Sequence, residues 1–303
     1  MTLRRLLSLA LPLLALAAAQ ASAAPLSSAE ILAQSSASDW RTPDPDNLLL
    51  MRLPGGPVLI ELAPAFAPQH VANIKKLARE RYYDGLAVVR VQDNYVAQWG
   101  DPNAEAEDPA KRRPMIEGKP QLPGEFSRPI AGLDLSPLPD GDVYAPGVGY
   151  YQGFPVASSR KLGRAWLAHC YGMVGAGRGD TADSGSGAEL YAVIGHSPRH
   201  LDRNVTLVGR VLQGMEHLAS LPRGHGPLGF YLPDEAPTPI RSLQKVSELP
   251  AEERPALEVL RTDTATWKAY VEARRTRRED WFLEPTGRIE LCNVPAPVRA
   301  AAR

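Results

Sequence analysis

Apolar and polar residues alternate on both sides of Asp93-Asn94 in "VVRVQDNYVAQWGD", Val88 to Asp101. This predicts two short strands joined by a tight turn. A second pair of runs, "LLLMRL" and "VLIEL", flanks "PGGP" at Pro54 to Pro57 and predicts another hairpin. Between the two pairs, "PQHVANIKKLARERYYDG" puts Val71, Ile74 and Leu77 on one side and Lys75, Lys76 and Arg79 on the other. That is an amphipathic helix, stopped near Asp84-Gly85. Regular patterning returns with "AWLAHCYGMVGAG" and, after the turn "RGDTADSGSG", with "AELYAVIG". "VTLVGRVL" reads as a strand, "GMEHLASL" as a short helix and "TPIRSLQKV" as one more strand. Near the end, "EERPALEVLRT" and "DTATWKAYVEARRTRRED" look helical, the second with Trp267, Tyr270 and Val271 on one side. "RIELCNV" offers a short strand carrying Cys292. The chain reads as mainly β, and many short strands with few helices predict an antiparallel barrel or sandwich.

Two stretches escape this patterning. Residues 24–47 are polar and proline-containing and read as an extended arm. From 102 to 165 turn signals crowd together, as in "LPGEFSRP" and "LSPLPDGD", with little periodicity. A structureless run that long is uncommon inside a compact domain, so functional loops or an insertion are expected.

The start of the chain changes the picture of where it works. Arg4 and Arg5 precede an apolar run from Leu6 to Ala19, and Ala21-Ser22-Ala23 fits a small-residue cleavage site. Residues 1–23 therefore read as a secretory signal peptide, which places the protein in a bacterial periplasm. The run is shorter than the ~20 residues of a membrane helix, and Pro12 interrupts it. No membrane span is expected after cleavage, and the protein is expected to be a monomer. Lys plus Arg and Asp plus Glu number 34 each, a balance that argues against a nucleic-acid footprint. The cluster Arg274, Arg275, Arg277 and Arg278 reads as a solvated helix face with acidic neighbours. Only Cys170 and Cys292 occur, and in an oxidising compartment an isolated pair is expected to be bridged.

Most local motifs carry no chemistry. "GAGRGD" is neither G-x-G-x-x-G nor a P-loop, and "DSGSGAE" lacks the G-x-S-x-G elbow. The six histidines are scattered, and Pro198 argues against a helix aligning His196 with His200, so no metal site is expected. Arg90 among valines has a plain reading, the wet face of a half-buried strand.

The order of segments says more. "GPVLIELAPAFAPQHVANIKKLARERYYDGLAVVRVQDNYVAQWGDP" resembles the N-terminal half of a cyclophilin-type peptidyl-prolyl isomerase. "YGMVGAG", "SGAELYAVIG" and "HLDRNVTLVGRVLQGMEHLASL" are similar to that family's second half in the same order. The resemblance spans 48–247 with an enlarged loop region at 102–165, and leaves 248–303 as a helical C-terminal extension. It implies a closed antiparallel β-barrel with flanking helices, and peptidyl-prolyl cis-trans isomerisation of proline-containing polypeptides without any cofactor. In this setting the expected role is to assist the folding of exported proteins. Residue by residue, the family's catalytic arginine falls on Arg90 and its supporting glutamine on Gln98. Its substrate-binding positions fall on Tyr95, Val96, Glu189, Tyr191, His200 and Leu201.

Several of these positions depart from the family's residues. Tyr95 and Tyr191 stand for phenylalanines, Val96 for methionine, Glu189 for glutamine and His200 for tryptophan. Val205 replaces a histidine and Gly175 an asparagine, while Val88-Val89 replace phenylalanine-histidine and Trp99 a glycine. The rewritten rim leaves open the alternative of a weak or inactive module that binds proline-containing segments or a protein partner. Tyr95 and Tyr191 taken singly also suit ordinary core aromatics.

Overall fold

The computed structural model describes residues 25–301; the signal peptide expected over 1–23 lies outside them. Along the chain the elements are α1 (Ser28–Ala33), β1 (Trp40–Arg41), β2 (Leu48–Leu53), β3 (Gly56–Leu62), α2 (Pro68–Arg79), β4 (Ala87–Val91) and β5 (Val96–Gly100). There follow β6 (Arg128–Pro129), β7 (Ser136–Pro137), β8 (Gly147–Tyr151), β9 (Phe154–Ser159) and β10 (Arg164–Leu167). The rest are β11 (Met173–Ala176), β12 (Glu189–Val193), β13 (Leu207–Gln213), α3 (Met215–Ala219), β14 (Ser242–Lys245), β15 (Leu257–Leu260), α4 (Ala265–Thr276) and β16 (Val298–Ala300).

The main sheet has eight antiparallel strands in the order β14-β2-β3-β13-β11-β12-β5-β4. It is not the closed barrel expected from the sequence. It curls into a half-barrel whose edges stay 10 Å apart. The reason lies in the segment that leads into β14. Its backbone enters the gap, where Ile240 N–H donates to Leu86 O (2.7 Å) and Thr238 O accepts from Val88 N–H (2.8 Å). Pro239 sits opposite Ala87 in an isolated bridge. These bonds tie β4 to the segment ahead of β14 and not to β14 itself, so the ladder of strands stops short of closing the ring.

Strand β2 shows why its sequence is apolar at nearly every position. Leu48 and Leu50 face one core with Trp40, Phe66, Trp166, Trp267 and Leu291. Leu49, Met51 and Leu53 face another, filled by Ile60, Ile74, Leu77 and Trp99. A strand covered on both faces loses alternation. Helix α2 starts at Pro68, a residue that suits a first helical turn, and lays Val71, Ile74 and Leu77 into the second core.

The first core lies under a second layer. Residues 102–165, read as loops, supply four strands and the start of the fifth in the sheet β6-β10-β9-β8-β7. A further three-stranded sheet, β1-β15-β16, joins the two ends of the chain, and α1 lies against α4. The N-terminal stretch is thus no plain arm: Ser27 and Glu30 form a reciprocal cap that starts α1. "EERPALEVLRT" is not helical beyond a single 3-10 turn at Ala251–Glu253, since β15 takes its apolar end. The strand expected at "RIELCNV" is instead a 3-10 turn, Leu291–Asn293, with the Glu290 carboxylate accepting from Cys292 N–H. The C-terminal extension is therefore mixed rather than helical.

Two links tie the layers. Cys170, just past β10, is disulfide-bonded to Cys292. The Arg41 guanidinium forks onto the buried Glu61 carboxylate (2.6 and 3.0 Å), which also accepts from Arg210 (3.2 Å). A buried pair of this kind fixes register more than it adds stability.

Candidate active site

The hairpin of β4 and β5 carries the first half of the site. Its register places Arg90 opposite Gln98, with Val89 as an extra residue in a bulge. Asn94 takes the left-handed conformation the turn requires (φ 51°), and its Oδ1 accepts from His196 N–H at 2.8 Å. The next pairing sets Tyr191 of β12 opposite Gln98, and the next sets Gly175 of β11 opposite Tyr191. Arg90, Gln98, Tyr191 and Gly175 therefore form one row across four strands, on one face of the sheet.

Arg90 is half-buried and held from several sides. Its Nε–H donates to Leu228 O (2.6 Å), Nη1–H to Gln98 Oε1 (3.2 Å), and Nη2–H to Gln92 Oε1. The guanidinium lies 5.5 Å from the Tyr95 ring centre and 5.3 Å from that of Phe230. Burial lowers its pKa from the ordinary arginine value, with Tyr95 and Glu189 opposing; an arginine still stays charged near neutrality. Among the described residues three of its five N–H groups are engaged, which leaves two to offer another molecule.

Beside it lies a small apolar cluster of Val96, Tyr191 and Val193, edged by Tyr95 and Val205. The two together form a cleft of about 690 Å³ whose walls also include Gln98, Leu201, Glu189, Glu105, Arg178 and Phe230. Of the residues nominated from the sequence, Arg90, Gln98, Tyr95, Val96, Glu189, Tyr191 and Leu201 all line it. His200 does not: it is exposed, outside the lining. It belongs to the 3-10 turn Arg199–Leu201, where consecutive side chains diverge by about a third of a turn. That turn aims Leu201 at the cleft and buries Arg199 on the other side.

The departures at Tyr191 and Gly175 explain one another. A Cβ on Gly175 would come within 2.4 Å of the Tyr191 ring and hydroxyl, so the ring occupies the space any side chain there needs. The Tyr191 hydroxyl meets His169 Nε2 at 2.9 Å, and His169 Nδ1 meets Asp202 Oδ1 at 2.9 Å. Burial lowers the His169 pKa. As a neutral ring facing a carboxylate, it keeps its proton on Nδ1 and accepts from Tyr191 on Nε2.

Glu189 closes the row's lower edge, its Oε1 accepting from Gln98 Nε2 at 3.2 Å. Burial pushes its pKa up to about 7 against the bond from Gln98, with Glu105 and Asp101 adding to the rise.

Several contributors escaped the sequence reading. Phe230, Glu105, Arg178 and the Leu228 carbonyl come from loops outside the β4–β5 hairpin, and no local pattern marks them; Gln92, two residues past Arg90 on the same face, was within reach of the strand's alternation. Among the described residues, no group of three or more His, Cys, Asp or Glu is placed to hold a metal ion, and no helix is long and apolar enough to cross a membrane.

Comparison with known proteins bears on the same cleft. The family model "Cyclophilin type peptidyl-prolyl cis-trans isomerase/CLD" matches residues 48–241. A Brucella suis biovar 1 protein named "Probable peptidyl-prolyl cis-trans isomerase" is 42% identical over 89 residues, 28% of this chain and 45% of its own length. Peptidyl-prolyl cis-trans isomerase B of Bacillus subtilis is 47% identical over 49 residues, 16% of this chain and 34% of its own. The chain thus spans less than half the length of these curated relatives. The crystal structure of cyclophilin AquaCyp293 from Hirschia baltica covers more, with 30% identity, a TM-score of 0.68, 87% of this chain and 95% of that one. With a family model over most of its length and a relative alike almost from end to end, the chain belongs to the cyclophilin-type peptidyl-prolyl cis-trans isomerase family.

Proposed function

We propose that this protein catalyses cis-trans isomerisation of X–Pro bonds in exported polypeptides. The observation that carries the reading is the Arg90 guanidinium, held by Gln98 and standing beside the apolar cluster of Val96 and Tyr191, with two N–H groups that no other described residue takes up. Rotation about an X–Pro bond faces a barrier of ~18–20 kcal/mol because the C–N bond has partial double-bond character. In the twisted transition state that conjugation is lost, and the nitrogen lone pair becomes an acceptor. A fixed donor aimed at it binds the transition state better than the planar ground state. Tyr95, Val96, Tyr191 and Leu201 would grip the proline ring while the preceding carbonyl turns.

One charge-assisted hydrogen bond contributes on the order of 1.5–3 kcal/mol net. At ~1.4 kcal/mol per tenfold this amounts to roughly ten- to a hundredfold. The chemistry needs no cofactor and forms no covalent intermediate. The finer reading, exported substrates in the periplasm, draws on the apolar leader in the sequence and on the Cys170–Cys292 disulfide, a bond suited to an oxidising compartment.

The test compares the mature protein with Arg90→Ala for acceleration of cis-to-trans conversion in a short X–Pro peptide. The variant should lose most of the activity while keeping its unfolding midpoint. Wild-type rates equal to the uncatalysed reaction would contradict the enzyme and favour a module that only binds proline-containing segments.

A further inference from the structure

We propose that Glu189 is a positioning residue for this reaction: its carboxylate holds the Gln98 amide in one orientation, and Gln98 in turn holds the Arg90 guanidinium. The inference rests on the isomerase reading above. A glutamine amide offers an acceptor at one end and donors at the other, and either end can face either neighbour. Here the neighbours decide. Arg90 offers only donors, so it takes Gln98 Oε1 at 3.2 Å. An ionised Glu189 only accepts, so it takes Gln98 Nε2 at 3.2 Å. The opposite orientation would set donor against donor on the arginine and acceptor against acceptor on the carboxylate. Both partners therefore select the same rotamer, which a neutral side chain at 189 would select less strongly.

The backbone supports the arrangement. Glu189 is paired with Gly100 at the end of β5, one pleat from the Tyr191–Gln98 pair, and its own carbonyl accepts from Gly177 N–H at 2.9 Å. The carboxylate is thus delivered to Gln98 by two neighbouring strands rather than by a loop.

The charged and titratable groups around it come from several elements. Arg90 approaches from β4, Asp101 lies just past β5, and Glu105 sits on the loop beyond, its Oε1 accepting from Gly179 N–H at 3.1 Å. Tyr82, from the turn after α2, donates to Asp101 at 3.2 Å and feels Glu189. Arg178 lines the same cleft but spends its guanidinium on the carbonyls of Asn204, Gly179 and Asp180. Burial, opposed by Gln98 and reinforced by Glu105 and Asp101, puts ionisation of Glu189 at about 7. Protonation turns the carboxylate into a group that both donates and accepts. The selection of one Gln98 rotamer then weakens, and with it the support of Arg90. The proline-gripping side chains are untouched, so the effect belongs in kcat and not in KM.

The experiment measures kcat and KM for a short X–Pro peptide from about pH 6 to about pH 8.5 on the mature wild type, Glu189→Gln and Glu189→Leu. Circular dichroism checks that each variant is folded. Wild-type kcat should rise on the order of three- to tenfold through a midpoint near 7, with KM steady. In Glu189→Gln, which always offers Gln98 Nε2 an acceptor, the inflection should vanish. In Glu189→Leu, which offers none, kcat should be several-fold lower at every pH and KM little changed. A flat wild-type kcat, an inflection that survives in Glu189→Gln, or an unaltered kcat in Glu189→Leu would overturn the positioning role while leaving the enzyme intact. Absence of acceleration at every pH would overturn the isomerase reading as well, so the two failures are distinguishable.

Discussion

The Tyr191 hydroxyl and His169 Nε2 lie 2.9 Å apart, and both side chains are closed off from water. The hydroxyl is the polar end of a ring that walls the cleft beside Arg90, and His169 is its hydrogen-bond partner there. Behind His169, burial pushes the Asp202 carboxyl up, but His169 and Arg199 outweigh it and hold the group below its usual range. Arg199 in turn forks onto Asp142 of the inserted segment (2.8 and 3.1 Å). A wall of the cleft is therefore braced by a buried polar chain that ends in the second layer.

Removing both partners of the Tyr191–His169 bond should cost less than the two single losses added together. Tyr191→Phe strands the ring nitrogen at about 1–3 kcal/mol of stability, while His169→Leu strands the tyrosine hydroxyl and also takes the Nδ1–H from Asp202, so it should cost more. The double variant should recover part of that loss, giving a coupling energy on the order of 0.5–3 kcal/mol in a double-mutant cycle. Urea unfolding of the four proteins measures it. Additive losses would mean that the contact contributes nothing.

Phe230 covers the outer side of the guanidinium while Tyr95 covers another. Phe230→Ala removes a cation–π contact of about 0.5–1 kcal/mol at a site open to solvent. The variant should lower kcat/KM about two- to fivefold and leave the unfolding midpoint nearly unchanged, because the ring is exposed. A loss as large as that of Arg90→Ala would show that Phe230 contributes more than this contact.

Glu189 also leaves a mark on stability. Its carboxyl has an ordinary value of 4.5 and is raised to about 7 in the fold, by burial first. A raised carboxylate means that the folded state binds the proton more tightly than the unfolded chain. The associated stabilisation is fully present below about 4.5 and is lost as pH rises through about 7. Glu189→Gln carries no such dependence. Its stability relative to wild type should increase by about 1–3 kcal/mol between acid and alkaline ends of that window. Denaturant midpoints of both proteins on either side of it decide the matter, and parallel curves would contradict the shift.

Much of the site was legible because it depends on counting. Arg90 and Gln98 lie at equal distances along the chain from Asn94 in the turn, and the register sets them opposite each other. Leu201 and Tyr191, nominated through their order in the chain, both line the cleft. His200 lies outside the lining because its orientation depends on a single 3-10 turn, where one residue's difference swings the side chain away. Phe230 was invisible because its contact with Arg90 joins segments 140 positions apart. The strands of the inserted segment were hidden for another reason. In β9 every residue is buried, so "FPVASS" shows no alternation and carries a proline besides. Strand β15 has only four residues, and its apolar spacing serves a helix as well as a strand. Barrel closure was misjudged because nothing in the composition of β4 or β14 says that β4 will bond to the segment ahead of β14 and not to β14 itself.

The three-stranded sheet has a consequence for the order in which the molecule is completed. Trp40 of β1 pairs with Leu260 of β15, and β15 pairs with β16 at the chain's far end. The hydrogen bond from Arg261 to Ser38 O spans 223 positions. During synthesis, every strand of the eight-stranded sheet exists once Lys245 has been made, but β1 has no partner until β15 follows. Contacts of such separation carry a large loop-closure cost and form slowly. The cleft's scaffold can therefore stand before the layer that braces it, and the first strand of the chain is among the last to be paired.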